Sequence, residues 1–237
     1  MAAPSSTIHG FVTGDYLAPP GARLAGQRVV AVAYLVRHPE ATLLFDTGFP
    51  LDAPYTVEEG SDPIPTYPRS LTESLAALGT ALEDIDLVAN CHLHIDHAGG
   101  NFRLPATLPI YVQATELETA RHEDEALVVD ALAVEKQAYH PIQGETDLLP
   151  GIRTIPTPGH TSGHQSLVVE TADGPVVLLG QGMPNVSEFS AAAYAVRLET
   201  EGSEPIPPFP EWLPALLARR PVRVHFAHDL ATWQPPR

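Results

Sequence analysis

Four side chains of types that commonly bind metal ions lie within six residues, in the run His92-Leu93-His94-Ile95-Asp96-His97. The run follows a strand-like apolar stretch at residues 85–89, and side chains two residues apart on a strand share a face. His92 and His94 can therefore point at the same ion, while Asp96 and His97 follow in a turn. Buried without a cation, these polar groups would need many partners, whereas a divalent cation satisfies them at once. The spacing predicts a metal site.

Three further segments carry residues that could complete such a site, and each lies at the end of a predicted strand. One is a tight glycine-bearing turn at residues 157–164, one is the end of the last strand at residues 223–229, and one is Asp46-Thr47-Gly48. Strand ends of this kind can assemble a site along one edge of a layered sheet structure. The candidates that these segments add are Asp46, His160, His164, His225, His228 and Asp229.

The composition excludes several classes of protein. A length of 237 residues with 44% hydrophobic residues indicates a globular chain that could form one large domain or two small ones, and we predict a single domain over residues 1–237. A formal charge of −16 disfavours nucleic acids and anionic membranes as partners, because their phosphates would be repelled. No apolar stretch approaches the roughly 20 residues of a membrane span. The first ten residues lack the features of a signal peptide, so we expect a cytoplasmic protein.

The chain contains one cysteine, Cys91, which excludes an intramolecular disulfide bond. Because Cys91 is adjacent to His92, its side chain should point to the opposite face of the strand. We therefore expect a buried structural thiol that does not bind the metal.

Apolar runs predict strands towards both ends of the chain with helices between them, as in a layered α/β sandwich. Ser70 and Glu73 form a capping box ahead of a helix over residues 71–78, and Asp173-Gly174 is a strong hairpin turn. A second helix is predicted at residues 116–121. The predicted strands cover residues 29–36, 42–45, 110–113, 152–155, 167–170, 175–179 and 222–226.

Two proline-rich segments, at residues 51–68 and 184–221, are too long to be plain connections. They are either binding loops or lids, or rigid surface excursions. The second segment contains four large apolar residues that could line an acyl-binding cleft, or could instead pack against a helix or form the contact of a homodimer. These residues are Phe189, Ile206, Phe209 and Trp212.

Together these motifs resemble the metallo-β-lactamase superfamily, and the segment Pro158 to Ser166 is similar to one found in its N-acyl-homoserine lactonase branch. The similarity extends from about residue 29 to residue 229. The resemblance implies an α/β fold of the four-layer αβ/βα sandwich type. It also implies a dinuclear metal centre, with Zn²⁺ as the expected ion and Fe, Mn or Co as alternatives.

The resemblance further implies a role for each matching residue. His92, His94 and His160 would hold the first metal, and Asp96, His97 and His228 the second. Asp46 and His164 would orient these ligands. His225, three residues before His228, should point elsewhere, because an odd step along a strand changes face.

The chain departs from the lactonase pattern at two positions. Gln181 stands where lactonases place an aspartate that bridges the two metals, and a neutral amide is a poorer ligand than a carboxylate. We expect two metals, with weaker occupancy of the second site. Pro184 stands where lactonases place a tyrosine, and Tyr194 could replace that tyrosine only if its loop folds back towards the site.

The implied function is hydrolysis of a lactone or related ester of small-molecule size, by attack of a metal-bound hydroxide on the carbonyl. Asp96 is the candidate for relaying a proton to the leaving group. Thioester or β-lactam hydrolysis on the same centre is the alternative, and phosphodiester hydrolysis is less favoured because no Arg or Lys cluster lies near the motifs. The substitution at Gln181 also leaves open a degenerate family member that binds a small ligand without turnover.

Overall fold

The computed structural model describes residues 5–18, 20, 25–51, 69–122, 137–203 and 208–235. The proline-rich segment at residues 51–68, interpreted as either a binding loop or a rigid surface excursion, lies outside the described residues apart from Leu51, and so does Ile206. In the described part, the α-helices are α1 (Leu71–Ala77), α2 (Ile95–Ala98), α3 (Ala114–His122), α4 (Val186–Thr200) and α5 (Leu213–Ala218). The strands are β1 (Thr7–Leu17), β2 (Arg28–Arg37), β3 (Thr42–Phe45), β4 (Leu87–Ala89), β5 (Ile110–Gln113), β6 (Tyr139–Ile142), β7 (Thr146–Leu149), β8 (Ile152–Pro156), β9 (Gln165–Thr171), β10 (Gly174–Leu178) and β11 (Arg223–His225).

The strands form two mixed sheets. The first has the order β1-β2-β3-β4-β5-β6, in which β1, β2 and β3 are antiparallel neighbours and β3 to β6 run parallel. The second has the order β11-β10-β9-β8-β7, and its one parallel pair is β10 with β11. Parallel neighbours place their carboxyl ends at the same edge of a sheet, which is where the chain leaves β3 and β4 for the candidate ligands.

Side chains from both sheets form the central layer of the core. Val36, Phe45 and Ala89 of the first sheet pack in one cluster with Leu167 and Leu178 of the second. The outer face of the first sheet is covered by α1 and α3, and the outer face of the second by α4 and α5. This arrangement confirms the predicted four-layer α/β sandwich.

The expectation of a long loop at residues 184–221 is wrong, because most of this segment forms α4 and α5. Asn185 caps α4 by accepting a hydrogen bond from the Glu188 N–H at 2.9 Å, and Pro214 lies in the first turn of α5, where no N–H is needed. Phe189 is fully buried against Phe226. It therefore belongs to the core and does not line a cleft.

The structure confirms the capping box of Ser70 and Glu73 at the start of α1. It also contains a strand that the sequence did not predict, β1, which pairs with β2 and has a bulge between Val12 and Gly14. No helix among the described residues is long and apolar enough to cross a bilayer.

Candidate metal centre

The candidate ligands meet at one edge of the first sheet. The run from His92 to His97 leaves the carboxyl end of β4 and enters the short helix α2, while Asp46 directly follows the neighbouring parallel strand β3. His160 lies on the turn between β8 and β9, and His228 lies just beyond β11. The structure thus brings together segments that are separated by more than a hundred residues in sequence.

His92, His94 and His160 form a first triad, in which one ligand nitrogen from each residue lies within 4.8 Å of the others. The His94 Nδ1 and His160 Nε2 atoms are 3.0 Å apart. Burial lowers the pKa of all three rings, to about 4 for His94 and about 3 for His160. All three are therefore neutral at pH 7, which is the form of histidine that binds metals.

Asp96, His97 and His228 form a second triad with the same spacing, and all three residues are buried. The two imidazole Nε2 atoms are 3.3 Å apart, and Oδ2 of Asp96 lies 3.5 Å from one and 3.6 Å from the other. Nδ1 of His228 donates to the carbonyl oxygen of Val30 at 2.7 Å, which leaves the lone pair of its Nε2 available to bind a metal ion. Although burial favours the neutral acid, His97 and His228 lower the pKa of Asp96 to about 2.

Asp46 orients His97 from behind. Its Oδ2 atom is 3.0 Å from Nδ1 of His97, and its Oδ1 accepts the backbone N–H of Cys91 at 2.8 Å. Asp46 adopts a φ of +62°, a conformation that Asn and Asp tolerate better than most residues. Burial lowers the pKa of His97, but the carboxylates of Asp96 and Asp46 outweigh it and raise that pKa to about 9.

His164 lies behind the ligands and holds the residue expected at the bridging position. Its Nδ1 lies 3.1 Å from the carbonyl oxygen of Thr157, and its Nε2 accepts the backbone N–H of Gln181 at 3.0 Å. The side-chain Oε1 of Gln181 lies 3.1 Å from Nε2 of His97. Gly180 permits this approach, because its φ is +61° and an added Cβ would lie 2.6 Å from Cβ of Cys91. The Gln181 amide therefore faces the second triad.

Two of the sequence candidates lie away from these triads. Tyr194 is on α4 and 55% exposed, with the Arg197 guanidinium over its ring, so the condition for it to reach the site, a loop that folds back, is not met. A helix in place of that loop accounts for the difference. His225 contacts the Thr232 hydroxyl and the Tyr34 ring, as expected of a residue that points elsewhere.

Cys91 is buried in the core between the sheets, as expected, but it also contacts the site. Its sulfur lies 3.0 Å from Oδ2 of Asp46, 3.0 Å from Nδ1 of His92 and 3.3 Å from Nδ1 of His97. Burial and Asp46 raise the pKa of the thiol, which keeps it protonated. The structure thus confirms that the thiol is buried, while its exclusion from the metal ligands stays a prediction, because Cys91, His92 and His97 also form a group that could hold an ion.

Two residues that the sequence did not single out also hold the site together. Oε1 of Glu116 on α3 accepts the backbone N–H of Leu93 at 2.9 Å, and its Oε2 accepts the Thr161 hydroxyl at 2.6 Å. One carboxylate thus joins the run after β4 to the turn that carries His160. In sequence, Glu116 resembles any acidic residue in the first turn of a helix.

The second of these residues is Tyr16 on β1, whose hydroxyl donates to Oδ2 of Asp96 at 3.1 Å. Burial and the Asp96 carboxylate raise the pKa of Tyr16, so the phenol remains a donor. No motif marks Tyr16, and the strand that carries it has no strong apolar alternation.

The donor set fits a metal. Nε2 of His92 is buried without a hydrogen-bond partner among the described residues, which is costly for a polar atom. Because its pKa is raised to about 9, His97 would give up the proton on Nε2 when a cation binds, and the Nε2 atoms of His97 and His228, 3.3 Å apart, would then both face that cation. The two triads present six ligand atoms of types that bind divalent metals such as zinc, and Cys91, His92 and His97 form a third group with the same spacing.

Comparison with known proteins supports the same interpretation. Residues 26–183 match the family model of the metallo-β-lactamase superfamily. The chain is 39% identical over 154 residues to an N-acyl homoserine lactonase of a Bacillus species, covering 61% of this chain and 60% of that protein. It is 37% identical over 154 residues to the N-acyl homoserine lactonase AiiA of Bacillus thuringiensis subsp. kurstaki, covering 62% of this chain and 60% of that protein. The chain therefore spans about three fifths of the length of these relatives.

Solved structures show the same fold. An N-acyl homoserine lactone hydrolase with the product N-hexanoyl-L-homoserine bound superposes with a TM-score of 0.72, at 24% identity and covering 96% of this chain and 94% of that one. A quorum-quenching N-acyl homoserine lactone lactonase gives a TM-score of 0.71 at 25% identity, covering 96% and 93%. The resemblance to lactonases stated from the motifs is confirmed. The chain belongs to the metallo-β-lactamase superfamily.

Proposed function

We propose that this protein is a metal-dependent hydrolase that opens the ring of a lactone of the N-acyl homoserine lactone class. The observation that carries the proposal is the pair of adjacent triads, which together present six ligand atoms at one sheet edge. The names of the relatives, which are N-acyl homoserine lactonases, supply the substrate class. The substrate is a small molecule.

His92, His94 and His160 would hold one ion, and Asp96, His97 and His228 the other, with Zn²⁺ as the expected metal. When bound, the ions would polarise the ester carbonyl and lower the pKa of a water molecule towards neutrality. The low pKa values of His94 and His160 support this role, because protons compete weakly for those nitrogens at pH 7. Asp46 keeps the proton of His97 on Nδ1, away from the ligand position.

Asp96 would also move the proton that ring opening requires. Lactone hydrolysis adds water across the ester C–O bond, so one proton must pass from the water to the departing alkoxide. With a pKa of about 2, the Asp96 carboxylate is ionised and can accept that proton transiently. No side-chain nucleophile is needed for this reaction.

The position of Gln181 sets this protein apart from lactonases with a bridging aspartate. Its amide oxygen lies 3.1 Å from Nε2 of His97, close enough to contact the site but without the negative charge of a carboxylate. We expect the second ion to be bound less tightly than the first as a result. The same residue favours a second candidate function, a family member that binds a small lactone or ester without turning it over.

A panel of substrates distinguishes these functions. N-acyl homoserine lactones, simple lactones, acyl thioesters and the β-lactam nitrocefin would be tested with zinc-loaded protein, after treatment with a chelator, and after zinc or cobalt is restored. The proposal expects lactone opening that the chelator abolishes and the metal restores. Hydrolysis of thioesters or nitrocefin alone would move the function to another substrate class, and metal-dependent binding without turnover would establish the second candidate.

A further inference from the structure

We propose that Tyr16 is a positioning residue for Asp96, and that its hydroxyl sets how tightly the second triad holds its ion. This inference rests on the metal centre of the proposed function. The hydroxyl donates to Oδ2 of Asp96 at 3.1 Å, and that same oxygen faces the Nε2 atoms of His97 and His228 at 3.5 and 3.6 Å. Tyr16 thus contacts the ligand oxygen itself.

The backbone of β1 explains how Tyr16 reaches the site. Before the bulge at Thr13, Ile8 and Val12 are opposite Val36 and Val32, whose side chains pack between the two sheets. After the bulge, Tyr16 is opposite Val29 and packs on the other face of the sheet, in the cluster that contains Ile95 of α2. An extra residue in one strand reverses the alternation of side chains. Without the bulge, Tyr16 would point away from Asp96.

The ring of Tyr16 is fixed independently of its hydroxyl. It is 7% exposed and packs edge-on against Phe49, with ring centroids 5.5 Å apart, and against His228 at 6.2 Å. A ring held on two sides loses little freedom when its hydroxyl donates a hydrogen bond. Replacement by phenylalanine therefore removes one hydrogen bond and leaves the packing in place.

The hydrogen bond matters because Asp96 is the one carboxylate in either triad. The terminal torsion of an aspartate is broad, so an Asp96 carboxylate that keeps its backbone hydrogen bond but loses the Tyr16 hydroxyl can exchange its two oxygens in the ligand position. Gln181 supplies no charge to compensate for a misplaced Asp96. Groups that orient a ligand in this way typically change metal affinity about 10- to 100-fold when removed.

The test compares Tyr16→Phe with Tyr139→Phe and the unchanged protein. The Tyr139 hydroxyl bonds to Asn101, not to a proposed ligand, and its ring packs against the same cluster as that of Tyr16. Zinc dissociation constants would be measured by competition with a chromophoric chelator, together with the absorption spectrum of the cobalt-substituted proteins. Melting of the chelator-treated proteins would monitor the fold.

We expect Tyr16→Phe to weaken the second zinc about 10- to 100-fold, to leave the first zinc unchanged and to alter the cobalt spectrum. Tyr139→Phe should match the unchanged protein. If the unchanged protein binds two ions and Tyr16→Phe holds both equally well, this inference is overturned while the proposed centre stands. If the unchanged protein binds no second ion, the centre itself is wrong and the role of Tyr16 falls with it. If Tyr16→Phe and Tyr139→Phe weaken zinc binding equally, the inference on Tyr16 is also overturned, because the weakening would then come from the shared apolar cluster and not from the contact with Asp96.

Discussion

The two triads are neighbours but are built differently. The first consists of three neutral histidines, and its third member, His160, lies on a surface turn where the residue is exposed although its ring packs against those of His92 and His94. The second is fully buried and contains the carboxylate of Asp96. Asp46, the Val30 carbonyl and the Tyr16 hydroxyl each fix one of its ligands. The first site thus depends on neutral nitrogens with low proton affinity, and the second on charge and on the hydrogen bonds that orient it.

The largest effect should come from removing the first triad. His92→Ala combined with His94→Ala deletes two of its three ligands, so metal binding at this triad and hydrolysis should both fall to background. The metal content of the purified variant measures the loss of binding, and lactonase activity measures the loss of hydrolysis. His140→Ala is the matched control, because His140 is exposed and lies outside both triads. A double variant that still hydrolyses substrate would exclude the metal mechanism.

Asp46→Asn should damage the second triad selectively. Asparagine tolerates the positive φ at this position, but it lacks the charge that holds the Nδ1 proton of His97. We expect the second ion to bind roughly 10- to 100-fold more weakly and the first to be unaffected. Competition with a chelator measures the dissociation constants of the first and the second ion. Asp86→Asn is a suitable control, since Asp86 is exposed and also accepts a backbone N–H, from Thr42. Equal loss at both triads would contradict the distinction between them.

Gln181→Asp should strengthen the second triad. A carboxylate near Nε2 of His97 would add the charge that the amide lacks, and we expect retention of the second ion to increase on the order of tenfold. Gln181→Asn controls for the shorter side chain. Identical metal affinity in the Asp and Asn variants would show that position 181 does not contact the second ion.

The smallest effect is a difference in pH dependence between the triads after metal is removed by a chelator. The folded-state pKa of His94 is lowered from 6.5 to about 4, so the unfolded chain binds protons more strongly between these values. Stability should therefore fall as pH falls through this window, by roughly 1–2 kcal/mol at pH 5. That corresponds to a decrease in Tm of about 2–8 °C.

His97 should behave in the opposite way. Its pKa is raised from 6.5 to about 9, so its contribution to stability is complete below pH 6.5 and is lost as pH rises through 9. Melting curves from pH 4.5 to 9.5 measure both the loss of stability at low pH, expected from His94, and the loss at high pH, expected from His97. His94→Gln should reduce the loss of stability at low pH without abolishing it, because the pKa values of His92 and His160 are lowered as well. Asp46→Asn should reduce the loss at high pH instead, and a single variant that reduces both would contradict the assignment.

The sequence predicted the parts of the site that depend on local spacing or on a recognisable motif. His92, His94, Asp96 and His97 follow from one run, while His160, His228, Asp46 and His164 follow from matching short motifs to a family. Tyr16 was missed because its orientation depends on the bulge at Thr13, and a single inserted residue leaves no mark in the pattern of apolar residues. Glu116 was missed because its two partners lie 23 and 45 residues away.

The same distinction applies to the fold. The layered α/β architecture could be predicted, because apolar strands and a capped helix are local features. Residues 184–221 were misread as a loop because their many prolines outweighed a weak helical pattern. Tertiary packing of Phe189 and Leu213 on the second sheet stabilises α4 and α5, and this packing is not visible in local sequence.

The most direct test of two distinct metal sites is the metal content per chain, measured by elemental analysis after purification without added metal and again after titration with zinc. We predict two ions per chain at saturation, and in Asp46→Asn the more weakly held ion should need roughly 10- to 100-fold more free zinc to bind. Saturation at one ion per chain, with no change in Asp46→Asn, would show that the buried Asp96, His97 and His228 do not form a metal site.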